Sequence, residues 1–119
     1  MRKGIIAAFT FSVLLTVSAT SALATGAIAV NDGMGTAAEE VGYGVGWGAD
    51  QKAAEEDAIK QCTEAGNDTC KVAVSFEQCG AYVGDRVHVG AGFGESKEAA
   101  EKMALEKCPN CKVIVSECQ

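Results

Sequence analysis

Two kinds of hydrophobic pattern alternate along the chain from about residue 26. The short β-branched or alternating runs Ala27–Asn31, Gly42–Trp47 and Lys71–Phe76 read as strands, and Gln51–Glu64 carries its apolar residues at helical spacing. The same order then returns, with strands over Ala81–Val83, Val87–Phe93 and Lys112–Ser116 and a helix over Lys97–Lys107. Asp50 and Ser96 each precede a helical run, where a short oxygen-bearing side chain accepts a free N–H of the first turn, so both are expected N-caps. The pattern is strand, strand, helix, strand, written twice.

The residues themselves repeat. "VGWGADQKAAEEDAIKQC" (Val45 to Cys62) lies over "AGFGESKEAAEKMALEKC" (Ala91 to Cys108), and "CKVAVSFEQC" (Cys70 to Cys79) over "CKVIVSEC" (Cys111 to Cys118). "GAIAVND" from Gly26 resembles "GAYVGD" from Gly80. Glycines, alanines and cysteines keep register together, which marks an internal duplication into units 26–79 and 80–118. The expected fold is α+β: two ββαβ repeats forming a mixed sheet with both helices on one face, related by a pseudo-two-fold axis and stapled by disulfides.

In "GYGVGWG", Gly42, Gly44, Gly46 and Gly48 share one strand face and Tyr43, Val45 and Trp47 the other. Gly90, Gly92 and Gly94 repeat this against Val89, Ala91 and Phe93. On the helices, Ala54, Ala58 and Cys62 form one stripe and Ala100, Ala104 and Cys108 its twin. A glycine face against an alanine stripe predicts close helix–sheet packing. It does not predict a phosphate cradle, because the period is two and Asp50 stands where an anion would bind.

Ahead of the repeats, the basic "MRK" and the apolar "GIIAAFTFSVLLTVSATSALA" end in Ala22-Leu23-Ala24, a small-x-small cleavage site. Residues 1–24 are therefore read as a signal peptide that is removed, leaving a single domain over 25–119 in the periplasm or outside the cell. Of 119 residues with a net charge of −6, removal takes Arg2 and Lys3 and leaves 95 residues at −8. So acidic a domain is repelled by phosphate backbones and anionic lipid, which excludes nucleic acid and a membrane surface as partners and is compatible with a basic one.

All six Cys lie after residue 24, an even count in a short exported domain, which favours a disulfide framework over metal binding or catalysis. Six Cys allow fifteen pairings, and the repeat narrows them. Cys62 and Cys70 bracket the helix-to-strand turn of the first unit, as Cys108 and Cys111 do in the second. Cys79 and Cys118, read as the ends of the two third strands, are then expected to bond and tie the units together. In the C-x-x-C itself, Pro109 and Asn110 fit a β-turn short enough to be bridged directly. A redox C-x-x-C opens a helix, whose positive end favours the thiolate, whereas Cys108 closes one.

The glycine strand, the "AA…A…C" helix and the "C-x-V-x-V…C" strand, occurring twice from Gly26 to Cys118, resemble the secreted bacterial domain-of-unknown-function family 4189. The resemblance implies export and the two-unit architecture, and it brings no catalytic residues with it.

Little in the sequence looks like chemistry. His88 is the single histidine and has no nucleophile in its pattern, and Glu55/Glu56 and Glu98/Glu101 read as solvated helix faces. With the Cys paired, no zinc pattern remains, and no cofactor or metal is expected. The largest asymmetry between the units is the loop "NDGMGTAAEE" (Asn31 to Glu40), against "GDR" (Gly84 to Arg86) in the second. The expected function is a binding module, with Met34, Glu39 and Glu40 of that loop and Tyr43, Trp47 and Phe93 of the helix-free face as its surface. The alternatives are a small hydrolase using carboxylates and His88, and a thiol redox protein using Cys108 and Cys111.

Overall fold

The computed structural model describes residues 24–33 and 35–119. The expected signal peptide (but for its last residue) and Met34 lie outside the described residues. The first repeat runs β1 (Thr25–Asn31), a single 3-10 turn (Ala38–Glu40), β2 (Gly42–Gly48), α1 (Gln51–Glu64) and β3 (Lys71–Phe76). The second runs β4 (Cys79–Gly84), β5 (Val89–Gly94), α2 (Lys97–Lys107) and β6 (Lys112–Cys118). Both helices start at the expected caps. Asp50 Oδ1 accepts from the Ala53 amide at 2.8 Å and Ser96 Oγ from the Ala99 amide at 3.0 Å. Gly66, at φ 100°, turns the chain out of α1 in a conformation other residues rarely adopt.

The α+β class and the two ββαβ repeats are as the sequence implies, but the strands do not merge into one mixed sheet. Each repeat closes its own antiparallel sheet, in the orders β2-β1-β3 and β5-β4-β6. The reason is hydrogen-bond saturation: the first strand of each repeat lies in the middle and spends both edges on strands of its own unit. Both sheets carry a bulge at the equivalent place, opposite Ile28/Ala29 in one and Tyr82/Val83 in the other.

The helices consequently lie on opposite outer faces rather than together. Ala27 and Ala29 of β1 pack with Ala54, Ala58 and Cys62 of α1, and Ala81 and Val83 of β4 with Ala100 and Ala104 of α2 and with Cys108 at its C-cap. The inner faces meet in a third cluster built from Ile28, Val30, Val41, Phe76, Tyr82 and Val115. The layers run α1, first sheet, second sheet, α2. Full burial of a side chain such as Ile28 or Val83 contributes about 1.5–3 kcal/mol.

The glycine faces do what their spacing implies. A methyl group at Gly44 or Gly46 would overlap the backbone of α1 at Cys62 or Ala58, and one at Gly90 or Gly92 that of α2 at Ala104 or Ala100. The helices sit so close that their side chains also occupy the outer sheet edges. Asp57 accepts from the Trp47 amide at 2.9 Å, and at the equivalent place the Phe93 amide points to Met103 Sδ at 3.4 Å. Lys107 Nζ donates to the Ala91 carbonyl at 2.7 Å. Such contacts keep an open edge from pairing with another chain.

The disulfides are Cys62–Cys70, Cys108–Cys111 and Cys79–Cys118, with Cα separations of 6.2, 5.4 and 4.0 Å. The last does not tie the units together. Cys79 opens β4 and faces Cys118 across the β4–β6 ladder, so the bond lies within the second sheet. The second unit thus begins at Cys79 and holds four of the six Cys. In strand register, Thr25 and Glu77 occupy the corresponding places of the first sheet. The second strand of that unit also starts later than Val87, because Asp85 Oδ1 accepts the Val87 and His88 amides and holds them in a turn.

Candidate functional site

The sequence-derived binding surface divides between two ends of the sandwich. Tyr43 and Trp47 share a face of β2, but four residues of strand separate them by about 13 Å. They do not lie on an open face, because that face packs against the other repeat's sheet. Val45 and Ala91 are covered there, while Tyr43, Trp47 and Phe93 remain on its margins at 43%, 36% and 53% exposure.

At the first end lies the loop from Asn31 to Glu40. It is strapped across the second repeat rather than free. The Gly35 amide donates to the Arg86 carbonyl and the Arg86 guanidinium returns a bond to the Gly35 carbonyl, both at 3.0 Å. Glu39 pairs with Lys112 of β6 at 3.0 Å, and its own backbone amide, with Lys112 adding to it, holds the Glu39 carboxyl below its usual range. Beneath the strap the Tyr82 phenol donates to Asp32. Burial first, and then the Asp32 carboxylate, push the Tyr82 phenol well above its ordinary value. Glu40 is exposed beside Glu39, and Tyr43 borders a shallow hollow with Val41, Lys112 and Ile114.

The second end is open. A cleft of about 820 Å³ runs between the end of β3 with its link to β4 and the end of β5 with α2. Phe76, 3% exposed, forms its base, and Phe93 and Met103 its walls. Asp50, Glu77 and Glu95 stand exposed on its rim, and no Lys, Arg or His of the described residues lines it. Trp47 adjoins, edge-on to the Phe76 ring with centroids 5.5 Å apart. The link is fixed from behind, since the Gln119 amide N–H donates to the Gln78 carbonyl at 2.9 Å and the Gln119 side chain to that of Glu77.

Of the expected surface residues, the structure brings Phe93 to the cleft and Trp47 beside it, and leaves Tyr43, Glu39 and Glu40 at the far end. Sequence reading missed Phe76, Met103, Asp50, Glu77 and Glu95. The available signal was the difference between equivalent positions. Phe76 corresponds in register to Glu117, Glu77 to Cys118 and Met103 to Asp57, so the repeat itself does not require the cleft residues.

His88 is elsewhere, at the opposite end of β5, with its side chain 71% exposed and 3.5 Å from Asp85. The His88 and Val87 amides hold the Asp85 carboxyl below its ordinary range. Among the described residues, one group of metal-ligand types converges: Asp85 with Cys108 and Cys111. Those sulfurs are bonded to each other and lack the thiolate a metal requires.

The fold is similar to that of Rv1813c from Mycobacterium tuberculosis, solved by NMR, with a TM-score of 0.57 and 24% identity over 100% of this chain and 95% of that one. No curated protein matches the chain. A family model described as Domain of unknown function (DUF4189) matches residues 25–118, the whole of both repeats, and the chain belongs to that family.

Proposed function

We propose that the chain is an exported binding module that engages a protein partner at the open end of its sheet sandwich. The observation that carries this reading is the cleft, an apolar concavity ringed by polar groups, in a domain whose helix and sheet faces otherwise pack into three buried clusters. Its aromatic walls and the adjacent Trp47 are residue types favoured as anchors at interfaces. Three disulfides in so short a chain support an oxidising compartment, the periplasm or the cell exterior. The acidic charge disfavours nucleic acid and anionic membranes.

Binding is favoured over hydrolysis because His88 lies at the far end of β5 from the cleft carboxylates, beyond reach of a shared substrate atom. A thiol redox role is disfavoured because Cys108 and Cys111, 4% and 8% exposed, offer a thiol partner little access. The test is partner capture by cross-linking in envelope preparations with the wild type and with Trp47→Ala, Phe93→Ala and His88→Ala. Loss of the partner in the first two variants and its retention in the third are expected. Retention of every partner by Phe93→Ala, or turnover of ester or peptide substrates abolished by His88→Ala, overturns the reading.

A further inference from the structure

The composition of the cleft narrows what it can hold. Asp50, Glu77 and Glu95 place three carboxylates around one opening, with no cationic side chain of the described residues among its lining. At the far end of the sandwich, by contrast, Glu39 has Lys112 beside it at 3.0 Å. An anionic ligand would meet uncompensated repulsion at this rim, and a cation would supply the missing charge. Inside the rim, Phe93 offers aromatic surface and Met103 a polarisable apolar wall, above the buried Phe76 at the base. Ammonium and guanidinium groups bind such rings favourably while their alkyl stems pack on apolar surface.

The cleft is also larger than one side chain needs and falls in the size range that admits a short run of groups. A partner does not enter as an added strand on β5, because the Phe93 amide is directed to Met103 and the Ala91 carbonyl accepts from Lys107. At the β5 side recognition therefore comes through side chains laid in the cleft. Resting on the binding reading above, we propose that the cleft takes a Lys or Arg side chain flanked by an apolar residue, in an extended segment of a partner protein.

The experiment titrates the disulfide-intact chain with three blocked hexapeptides of alternating Phe and X, where X is Lys, Gln or Glu, and with butylammonium. Readouts are the fluorescence of Trp47, the single tryptophan, and the amide shifts of Phe93 and Gly94. The Lys peptide is expected to bind about tenfold more tightly than the Gln peptide, with the Glu peptide weaker still. Glu77→Gln with Glu95→Gln should remove that preference and its salt dependence while leaving the Gln peptide unchanged. Equal binding of the Lys and Gln peptides overturns the charge assignment and leaves the cleft as the binding site. Butylammonium binding as tightly as the Lys peptide overturns the peptide assignment in favour of small amines. Binding of no peptide, or binding that Phe93→Ala does not alter, overturns both this inference and the site on which it rests.

Discussion

The Tyr82 phenol donates a hydrogen bond to the Asp32 carboxylate, 2.5 Å away, across the seam between the two repeats. Tyr82 sits in the central strand of the second sheet, and Asp32 follows the central strand of the first. The bond is a polar tie at the margin of an interface otherwise made of Ile28, Val30, Phe76 and Val115.

Tyr82→Phe removes that tie without opening a cavity. It should lower stability at pH 7 by about 1.5–3 kcal/mol, the range for a hydrogen bond to a charged group, read as a shifted urea midpoint with unchanged slope. The phenol's pKa is raised in the folded state, so its contribution is complete below the unfolded value of about 10 and declines as pH rises above it. Wild-type stability should accordingly fall above pH 10, and the fall should be smaller in Tyr82→Phe.

Gly46→Ala should destabilise by about 1–3 kcal/mol, because the added methyl meets the backbone of Ala58, which cannot move aside as a flexible side chain could. Gly33→Ala is the control. There the new methyl meets only Thr36 Oγ1, at 3.5 Å, and the thermal midpoint should hold.

Replacing each disulfide by a pair of serines should give unequal losses. The Cys79–Cys118 bond spans a separation of 39 residues and Cys108–Cys111 one of 3. Loop-closure entropy predicts about 4 kcal/mol for the first and about 2 kcal/mol for the second. Denaturant titration of the two double variants that found the reverse order would show the bonds acting through native strain or packing instead.

Asp85→Ala should weaken the fold near neutral pH and have little effect near pH 2. The His88 amide, and then that of Val87, depresses the Asp85 carboxyl in the folded state. The stabilisation is present above the ordinary carboxylate value and is lost as pH falls through the lower folded one. Acid titration of the unfolding midpoint in both proteins checks the convergence. Lys112→Ala, by contrast, should leave the midpoint unchanged, since its pairing with Glu39 is solvent-exposed.

Helix limits, both N-caps and the glycine-to-alanine packing are written in local spacing, and the structure places them where that spacing does. The two-sheet arrangement is not local. β1 is apolar on both faces, and its pattern does not say whether Ile28 will meet a helix, solvent or the other repeat. Cys79 shows the same limit. The stretch from Cys70 to Cys79 runs two residues further than that from Cys111 to Cys118, and this slack carries Cys79 past its own sheet into β4. Phe76 likewise looks like one more strand residue until the sheets are stacked and its ring is found at the base of the cleft.

No disulfide crosses the seam between the repeats, and this separates two kinds of robustness. Oxidation locks each half-molecule internally, while among the described residues the halves adhere through apolar contact, the Asp32–Tyr82 bond, the loop strap, and the two-residue tether of Glu77 and Gln78 with its Gln119 bonds. Reducing agents should loosen the halves from within, whereas chaotropes should first part them like the covers of a book with every disulfide still closed. The cleft lies along that opening edge, so whatever fills it also clasps the halves together.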